Sequence, residues 1–190
     1  LDGIPIELKT LAEFPGLPIA EETGATFAEN ARQKALHYAG VTDMVALAED
    51  SGFEVDALNR EPGTCSARYL GEDATYAERF ADIYRRVREA GVRDRRARFV
   101  CALAVASDGE TLFETRATVE GALADAPAGP NGFGYDPIFF YPHYGRTFGQ
   151  VSEAEKTSVS HRGQAVRALR DYLSGLSVGS RRSSVISPSQ

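Results

Sequence analysis

The feature that most constrains the fold of this chain is an uninterrupted apolar run, residues 44–48, followed at once by Glu49-Asp50-Ser51-Gly52. A short apolar run bounded by turn residues predicts a buried strand. We predict that this strand covers residues 44–48, that Glu49-Asp50-Ser51-Gly52 ends it, and that a separate short strand covers residues 53–58. In open α/β sheets ligands bind beyond the carboxyl ends of the strands, so carboxylates at such an end are expected to face a crevice.

Helical and hairpin patterns flank this strand. Two capping boxes, Thr26-Phe27-Ala28-Glu29 and Thr75-Tyr76-Ala77-Glu78, predict helices that end near residues 39 and 90. Two β-rich stretches, residues 96–106 and 111–119, are joined by Ser107-Asp108-Gly109-Glu110, which predicts a hairpin. A first strand is expected at residues 4–8 and a last helix at residues 160–173. This mixture predicts an α/β fold with a mixed sheet flanked by helices.

Composition limits the class of protein. The chain has 190 residues with 43% hydrophobic and 25% charged residues, which suits one folded domain, residues 1–176, or at most two small lobes sharing a core, rather than a disordered chain. From residue 177 onward Ser, Gly, Arg and Pro dominate, so residues 177–190 are predicted to form a disordered Ser-rich tail. The net charge of -6 argues against nucleic-acid binding, and no apolar run approaches a membrane span of about 20 residues.

The two cysteines indicate a reducing compartment. Cys65 and Cys101 have no second cysteine near either, so neither a zinc motif nor a disulfide framework is expected. We therefore expect reduced, buried thiols in a cytoplasmic protein.

Acidic and basic residues near the predicted strand end and the first helix are candidates for a metal or phosphate site. Asp50 is placed to bind a metal or a water, although an Asp-Ser-Gly turn in which Asp50 caps its own backbone is an alternative. Glu29 is either a metal ligand or only the capping-box carboxylate, and Lys34 either faces a cleft or lays its stem on the core.

Two further segments carry candidates for binding a planar base. The loop Gly129–Pro137 presents Phe133 and Tyr135, which either form a stacking surface or fill the core. The start of the last helix supplies hydrogen-bond donors for oxygen acceptors, unless Ser160 is an ordinary cap and the charges are only solvated. The side-chain donors there belong to His161 and Arg162, and Glu155-Lys156 precedes them in the chain.

Carboxylates, cations, an aromatic surface and base-reading donors together indicate a nucleotide site. Mg²⁺ prefers one or two carboxylates together with substrate phosphates, which suits Glu29 and Asp50. No Ser or Cys nucleophile paired with His is evident. Water is therefore the expected attacking group, with Asp50 or Glu49 as the base.

Five ordered motifs resemble those of the inosine triphosphate pyrophosphatase family, whose members hydrolyse ITP, dITP and XTP to the monophosphate and pyrophosphate. The motifs span roughly residues 21–173. They are Thr26-Phe27-Ala28-Glu29-Asn30-Ala31 with Lys34-Ala35; Ala48-Glu49-Asp50-Ser51-Gly52; Pro62-Gly63 with Ser66-Ala67-Arg68-Tyr69; Gly132-Phe133-Gly134-Tyr135-Asp136-Pro137-Ile138-Phe139; and Glu155-Lys156 with Ser160-His161-Arg162.

The resemblance implies an ITPase-like mixed sheet in two lobes with the active site in the cleft between them, Mg²⁺ as cofactor, and a homodimer. It implies that Glu29 and Asp50 bind the metal, and that Asp50 activates water with Glu49 beside it. The residues implied to bind the substrate are Lys34 and Ser51 at the phosphates, Phe133 stacked on the purine, and Tyr135, Asp136, Lys156, Ser160, His161 and Arg162 around the base, with Arg68 as a further pocket residue. Donors from His161 and Arg162 would read the 6-oxo group and reject a 6-amino purine.

The sequence departs from the family at its start. The family opens with a strand and a Ser/Thr-x-Asn-x-x-Lys phosphate loop, and residues 1–20 contain no such motif. The resemblance therefore implies that this unit is missing. An alternative function follows, namely a truncated or degenerate nucleotide-binding remnant with little or no turnover.

Overall fold

The computed structural model describes residues 4–176 and the backbone of residues 184–187. The first part of the chain forms strand β1 (Glu7–Thr10), helix α1 (Phe27–Thr42) and strand β2 (Val45–Val55). Helix α2 (Tyr76–Glu89) and the long strands β3 (Arg96–Ser107) and β4 (Glu110–Leu123) follow. The remaining elements are β5 (Phe139–Tyr141), β6 (Arg146–Thr147), α3 (Glu153–Val159), α4 (His161–Leu176) and β7 (Ser184–Ser187).

The strands form one mixed sheet in the order β1-β7-β2-β3-β4-β5-β6. Strand β7 pairs in parallel with β1 on one side and β2 on the other, whereas β5 pairs antiparallel with β4 and with β6. The predicted α/β fold with a mixed sheet and flanking helices is thus confirmed. The first strand, predicted at residues 4–8, begins three residues later and ends two residues later than predicted.

Capping chemistry sets the helix starts where the sequence predicts them. Thr26 accepts a hydrogen bond from the Glu29 N–H over 3.2 Å, and Thr75 does the same for Glu78 over 3.3 Å. Helix α1 continues beyond its predicted end, through Gly40 to Thr42, and stops at Asp43 in the left-handed conformation (φ 54°).

The prediction that Glu49-Asp50-Ser51-Gly52 ends the strand is wrong. Strand β2 continues through these residues as eleven residues of extended chain, and Ala46, Ala48, Phe53 and Val55 are fully buried in it. The side chain of Asp50 is paired with groups from α1, so it does not form the Asp-Ser-Gly turn. Asp50 therefore lies within a strand.

The predicted disordered tail differs from the structure at residues 184–187. Residues 184–187 form β7, with Val185 opposite Leu8 and Val45, so the prediction of disorder is wrong there. Residues 177–183 and 188–190 lie outside the described residues. No helix in the described part of the chain is both long and apolar enough to cross a membrane.

The chain divides into two compact units, each with its own core. Unit 1 comprises residues 1–50, 101–117 and 164–190, and unit 2 comprises residues 51–100 and 118–163. The core of unit 1 packs Leu47, Leu103 and Val105 against Leu169 and Leu173 of α4. The core of unit 2 is rich in aromatic rings, among them Phe53, Phe99, Tyr135, Phe139 and Phe148.

Candidate active site

The first group of candidate residues lies in unit 1 and is called here the acidic cluster: Glu22, Asn30, Lys34 and Asp50. Helix α1 supplies Asn30 and Lys34 one turn apart on its buried face, and β2 supplies Asp50. The Asn30 side-chain amide donates to Oδ2 of Asp50 over 3.1 Å, and the Lys34 ammonium donates to Oδ1 over 3.2 Å. Both oxygens of the Asp50 carboxylate are therefore held by α1.

Burial and neighbouring charges act in opposite directions on Asp50. Burial raises the pKa of Asp50 above its ordinary value, while Lys34 and the hydrogen bond from Asn30 favour the ionised form. A carboxylate with a raised pKa accepts a proton more readily than an exposed one, which suits a general base.

The structure places Glu29 and Glu49 differently from Asp50. The Glu29 carboxylate is exposed and accepts from the N–H groups of Ala25 and Thr26 over 2.7 Å and 3.1 Å, so it fulfils the capping-box alternative. Glu49 precedes Asp50 in β2 and is half-buried. No cluster of three or more His, Cys, Asp or Glu side chains suited to a metal occurs among residues 4–176.

The donor set around Asp50 nevertheless suits a hard cation. Carboxylate oxygens are the ligands that Mg²⁺ takes, and Mg²⁺ uses few protein carboxylates when substrate phosphates complete its shell. Asp50 and Glu22 supply such oxygens within one cluster. These oxygens are of the kind that a cation takes when a substrate completes its shell, and in this structure both residues pair with Lys34.

The second group lies in unit 2 and is called here the aromatic cluster: Phe133, Asp136, Lys156 and Arg162. The Phe133 ring is 62% exposed, with the Lys156 ammonium 4.2 Å and the Arg162 guanidinium 5.2 Å from its centroid. Cations over an exposed ring form cation–π contacts and leave aromatic surface for a ligand. Arg162 also donates to Oγ of Ser51 over 3.4 Å.

Asp136 connects two members of the aromatic cluster by hydrogen bonds. Its buried carboxylate accepts from the Phe133 N–H over 2.7 Å and from the Lys156 ammonium. Burial raises the pKa of Asp136, and the Lys156 charge opposes that shift. Asp136 is therefore a buried anchor for the Phe133 backbone and for Lys156.

Tyr135 takes the core-filling alternative. Its ring is 3% exposed and stacks on Phe53 at a centroid distance of 5.1 Å, and its hydroxyl donates to the Ser66 carbonyl over 2.8 Å. Of the two aromatic residues of the loop, Phe133 alone presents an exposed ring. Arg68, at the end of the 3-10 helix Gly63–Arg68, is exposed.

His161 begins α4 in a buried position. It is 6% exposed, and its ring stacks on Phe99 at 4.9 Å with an interplanar angle of 8°. Burial, together with the charges of Arg162 and Lys156, lowers the pKa of His161 to about 3, so the imidazole is neutral near pH 7. Its Nδ1 atom has no hydrogen-bond partner among the described residues.

Ser160 immediately precedes His161 and caps α4. Its hydroxyl accepts from the Gly163 N–H over 3.1 Å, so the structure assigns it the ordinary cap role. Cys101 is buried, whereas Cys65 is exposed, so the expectation of two buried thiols is wrong for Cys65.

Two residues of the acidic cluster were missed as functional candidates. Asn30 was recognisable only by its position one turn before Lys34. No local sequence pattern identifies Glu22, because it lies in an irregular segment and its partner Lys34 is twelve positions further along the chain.

Comparison with known proteins agrees with the motifs. The Ham1 family model matches residues 1–172. The dITP/XTP pyrophosphatase of Geobacter sulfurreducens is 42% identical over 173 residues, which cover 91% of this chain and 87% of that protein. The dITP/XTP pyrophosphatase of Geobacillus kaustophilus is 44% identical over 164 residues, covering 86% and 80% of the two chains.

A solved structure supports the same assignment. The Staphylococcus aureus Ham1 protein superposes with a TM-score of 0.81 at 40% identity, covering 87% of this chain and 85% of that chain. Sequence and fold therefore agree over most of the described residues, and the chain belongs to the Ham1 family.

Proposed function

We propose that this chain hydrolyses non-canonical purine nucleoside triphosphates, such as dITP, XTP and ITP, to the monophosphate and pyrophosphate. The observation that carries the proposal is its 42–44% identity to enzymes named dITP/XTP pyrophosphatase over most of both chains. The acidic cluster and the aromatic cluster offer the chemistry that such a substrate requires.

In this proposal each cluster binds one part of the nucleotide. The Phe133 ring stacks on the purine, and the neutral His161 with Arg162 and Lys156 donates to oxygen acceptors on the base. Lys34 and Ser51 face the phosphates, and Arg68 is a further contact. A 6-amino group would present hydrogen atoms to these donors, which disfavours ATP.

Asp50 is the proposed general base. Water adds to a phosphorus of the α–β anhydride, the anhydride P–O bond breaks, and the water proton passes to the Asp50 carboxylate. Asn30 and Lys34 hold that carboxylate in place, and Glu49 lies beside it in β2. Asp50 with Glu29 or Glu22 would hold Mg²⁺, which supplies neutralisation of the charge that develops on the phosphates.

Further parts of the proposal follow from the family resemblance. We propose that the ligand is a small-molecule nucleotide and that the chain binds neither nucleic acid nor a membrane. We also propose that it forms a homodimer and is located in the cytoplasm. Sedimentation of the purified chain tests the assembly.

The test of function is pyrophosphate release from dITP, XTP, GTP and ATP in the presence of Mg²⁺. Selective release from dITP and XTP is expected. Equal rates for ATP and dITP would contradict the proposed base selectivity. Tight binding of ITP without turnover would instead identify the chain as a nucleotide-binding remnant.

A further inference from the structure

Glu22 contacts the acidic cluster from outside the helix and strand that carry the other members. Its Oε1 atom accepts from the Lys34 ammonium over 2.8 Å, while the same ammonium lies 3.2 Å from Oδ1 of Asp50. The side chains of Lys34 and Glu22 are only 8% and 17% exposed. The ammonium is thus shared between two carboxylates at a largely buried position.

The backbone of the segment that contains Glu22 is hydrogen-bonded to side chains of the first two turns of α1. The Gly24 N–H donates to the Asn30 side chain over 2.8 Å, and the Thr23 N–H donates to Gln33 over 3.3 Å. A Cβ atom at Gly24 would lie 2.6 Å from Cβ of Glu29, so the backbone approaches the helix closely. Glu22 is therefore held near Lys34 by backbone contacts and not only by its own flexible side chain.

The charges of Glu22, Lys34 and Asp50 together disfavour the binding of an anion from solution. Two carboxylates and one ammonium leave the trio with one net negative charge when all are ionised. A phosphate that binds Lys34 either replaces one carboxylate as a partner of the ammonium or accepts from its third N–H, close to two carboxylates that repel it. Because charge interactions strengthen as water is excluded, either arrangement is costly at a buried site.

We propose that Glu22 is a positioning residue that acts through Lys34: it holds the ammonium beside Asp50 and thereby weakens the binding of a polyphosphate to Lys34. The inference rests on the proposed function in one respect, which is the role of Lys34 in binding phosphate. In the substrate complex, Lys34 exchanges the Glu22 carboxylate for a phosphate oxygen, and no covalent bond changes.

Calorimetric titration with inorganic pyrophosphate, without divalent cations, tests this role. Glu22→Gln keeps the shape of the side chain and removes its charge. It is expected to bind pyrophosphate about tenfold more tightly than the wild type. The matched control is Glu21→Gln, which removes the same charge from the adjacent exposed position and is expected to change the affinity less than about threefold. Equal affinities of the two variants would overturn the inference.

A second comparison separates an effect through Lys34 from an effect of net charge. In a Lys34→Gln background, Glu22→Gln is expected to bring no gain in affinity. The same tenfold gain in that background would overturn the inference, as would the absence of pyrophosphate binding to Glu22→Gln itself. If Glu22→Gln does not fold, Glu22→Asp withdraws the carboxylate from Lys34 and is expected to give a smaller gain, whereas no gain would overturn the inference.

Turnover distinguishes this inference from the proposed function. Failure of the wild type to hydrolyse dITP and XTP would contradict the proposed function. The pyrophosphate affinities of the variants would still decide the role of Glu22.

Discussion

The side-chain amide of Asn30 donates to Oδ2 of Asp50 over 3.1 Å, although twenty positions separate the two residues. Asn30 lies on the buried face of α1 and Asp50 in the middle of β2. With Lys34 on Oδ1, this contact orients the carboxylate that we propose as the general base.

Replacing Asp50 by Asn is therefore expected to abolish turnover while the fold is retained. The substitution removes the proton acceptor, and a lost general base costs about 10²–10⁴ in rate. Lys34 keeps Glu22 as a partner in this variant. Steady-state rates with dITP, together with circular dichroism, measure the two effects. The control is Glu49→Gln in the adjacent residue, and a larger loss in that variant than in Asp50→Asn would reassign the base.

Phe133→Leu is expected to weaken nucleotide binding with little effect on stability. Stacking on an aromatic side chain contributes about 1–3 kcal/mol per base, so KM for dITP should rise at least about fivefold. The ring is 62% exposed, so few core contacts are lost. Phe133→Tyr keeps the ring and should restore KM. Unchanged KM in Phe133→Leu would show that the purine does not stack there.

Gly132→Ala is expected to disturb the aromatic cluster. Gly132 has φ +75°, and a Cβ atom there would overlap Oδ2 of Asp136, which anchors the Phe133 N–H and Lys156. The matched control is Gly145→Ala, where φ is +61° but nothing lies within 4 Å of the added atom. Gly145→Ala should cost about 1 kcal/mol of unfolding free energy from backbone conformation alone. Urea unfolding should show a larger loss for Gly132→Ala, and equal losses would contradict the close approach.

His161 gives the stability a defined pH dependence. Its pKa is lowered to about 3 in the folded state from 6.5, so the unfolded state binds the proton more readily as the pH falls below 6.5. Stability should therefore be lost on acidification, with His161 contributing about 2 kcal/mol between pH 7 and about pH 5. Urea unfolding of His161→Gln at the two pH values should show a smaller loss than the wild type. Equal losses would mean that His161 is not buried in its neutral form.

His161→Ala also tests base selectivity. The substitution removes the imidazole that is proposed to donate to the 6-oxo group of the base. It should mainly lower the preference for dITP over dATP, because the phosphate-binding residues remain in place. The ratio of kcat/KM for the two substrates measures this effect. A lower rate with an unchanged ratio would assign His161 to packing against Phe99 alone.

Local sequence signals determined much of the secondary structure. The capping boxes at Thr26 and Thr75 predicted the starts of α1 and α2, because a capping hydroxyl and the carboxylate three residues later interact over short range. The Asp108-Gly109 turn likewise predicted the β3–β4 hairpin. The exposed ring of Phe133 was one of two open alternatives for its loop.

Only the tertiary structure decided the features that depend on distant partners. Acidic residues looked like the end of a strand, yet β2 continues through them because α1 supplies Asn30 and Lys34 to pair with Asp50. Tyr135 is buried because Phe53 stacks on it, and the backbone of residues 184–187 finds partners in both β1 and β2. By itself the sequence determined the family motifs and the helix caps, which are local patterns. The partners of Asp50, Tyr135 and Glu22 were decided by packing, since polar and aromatic groups are satisfied by whichever groups the fold brings near.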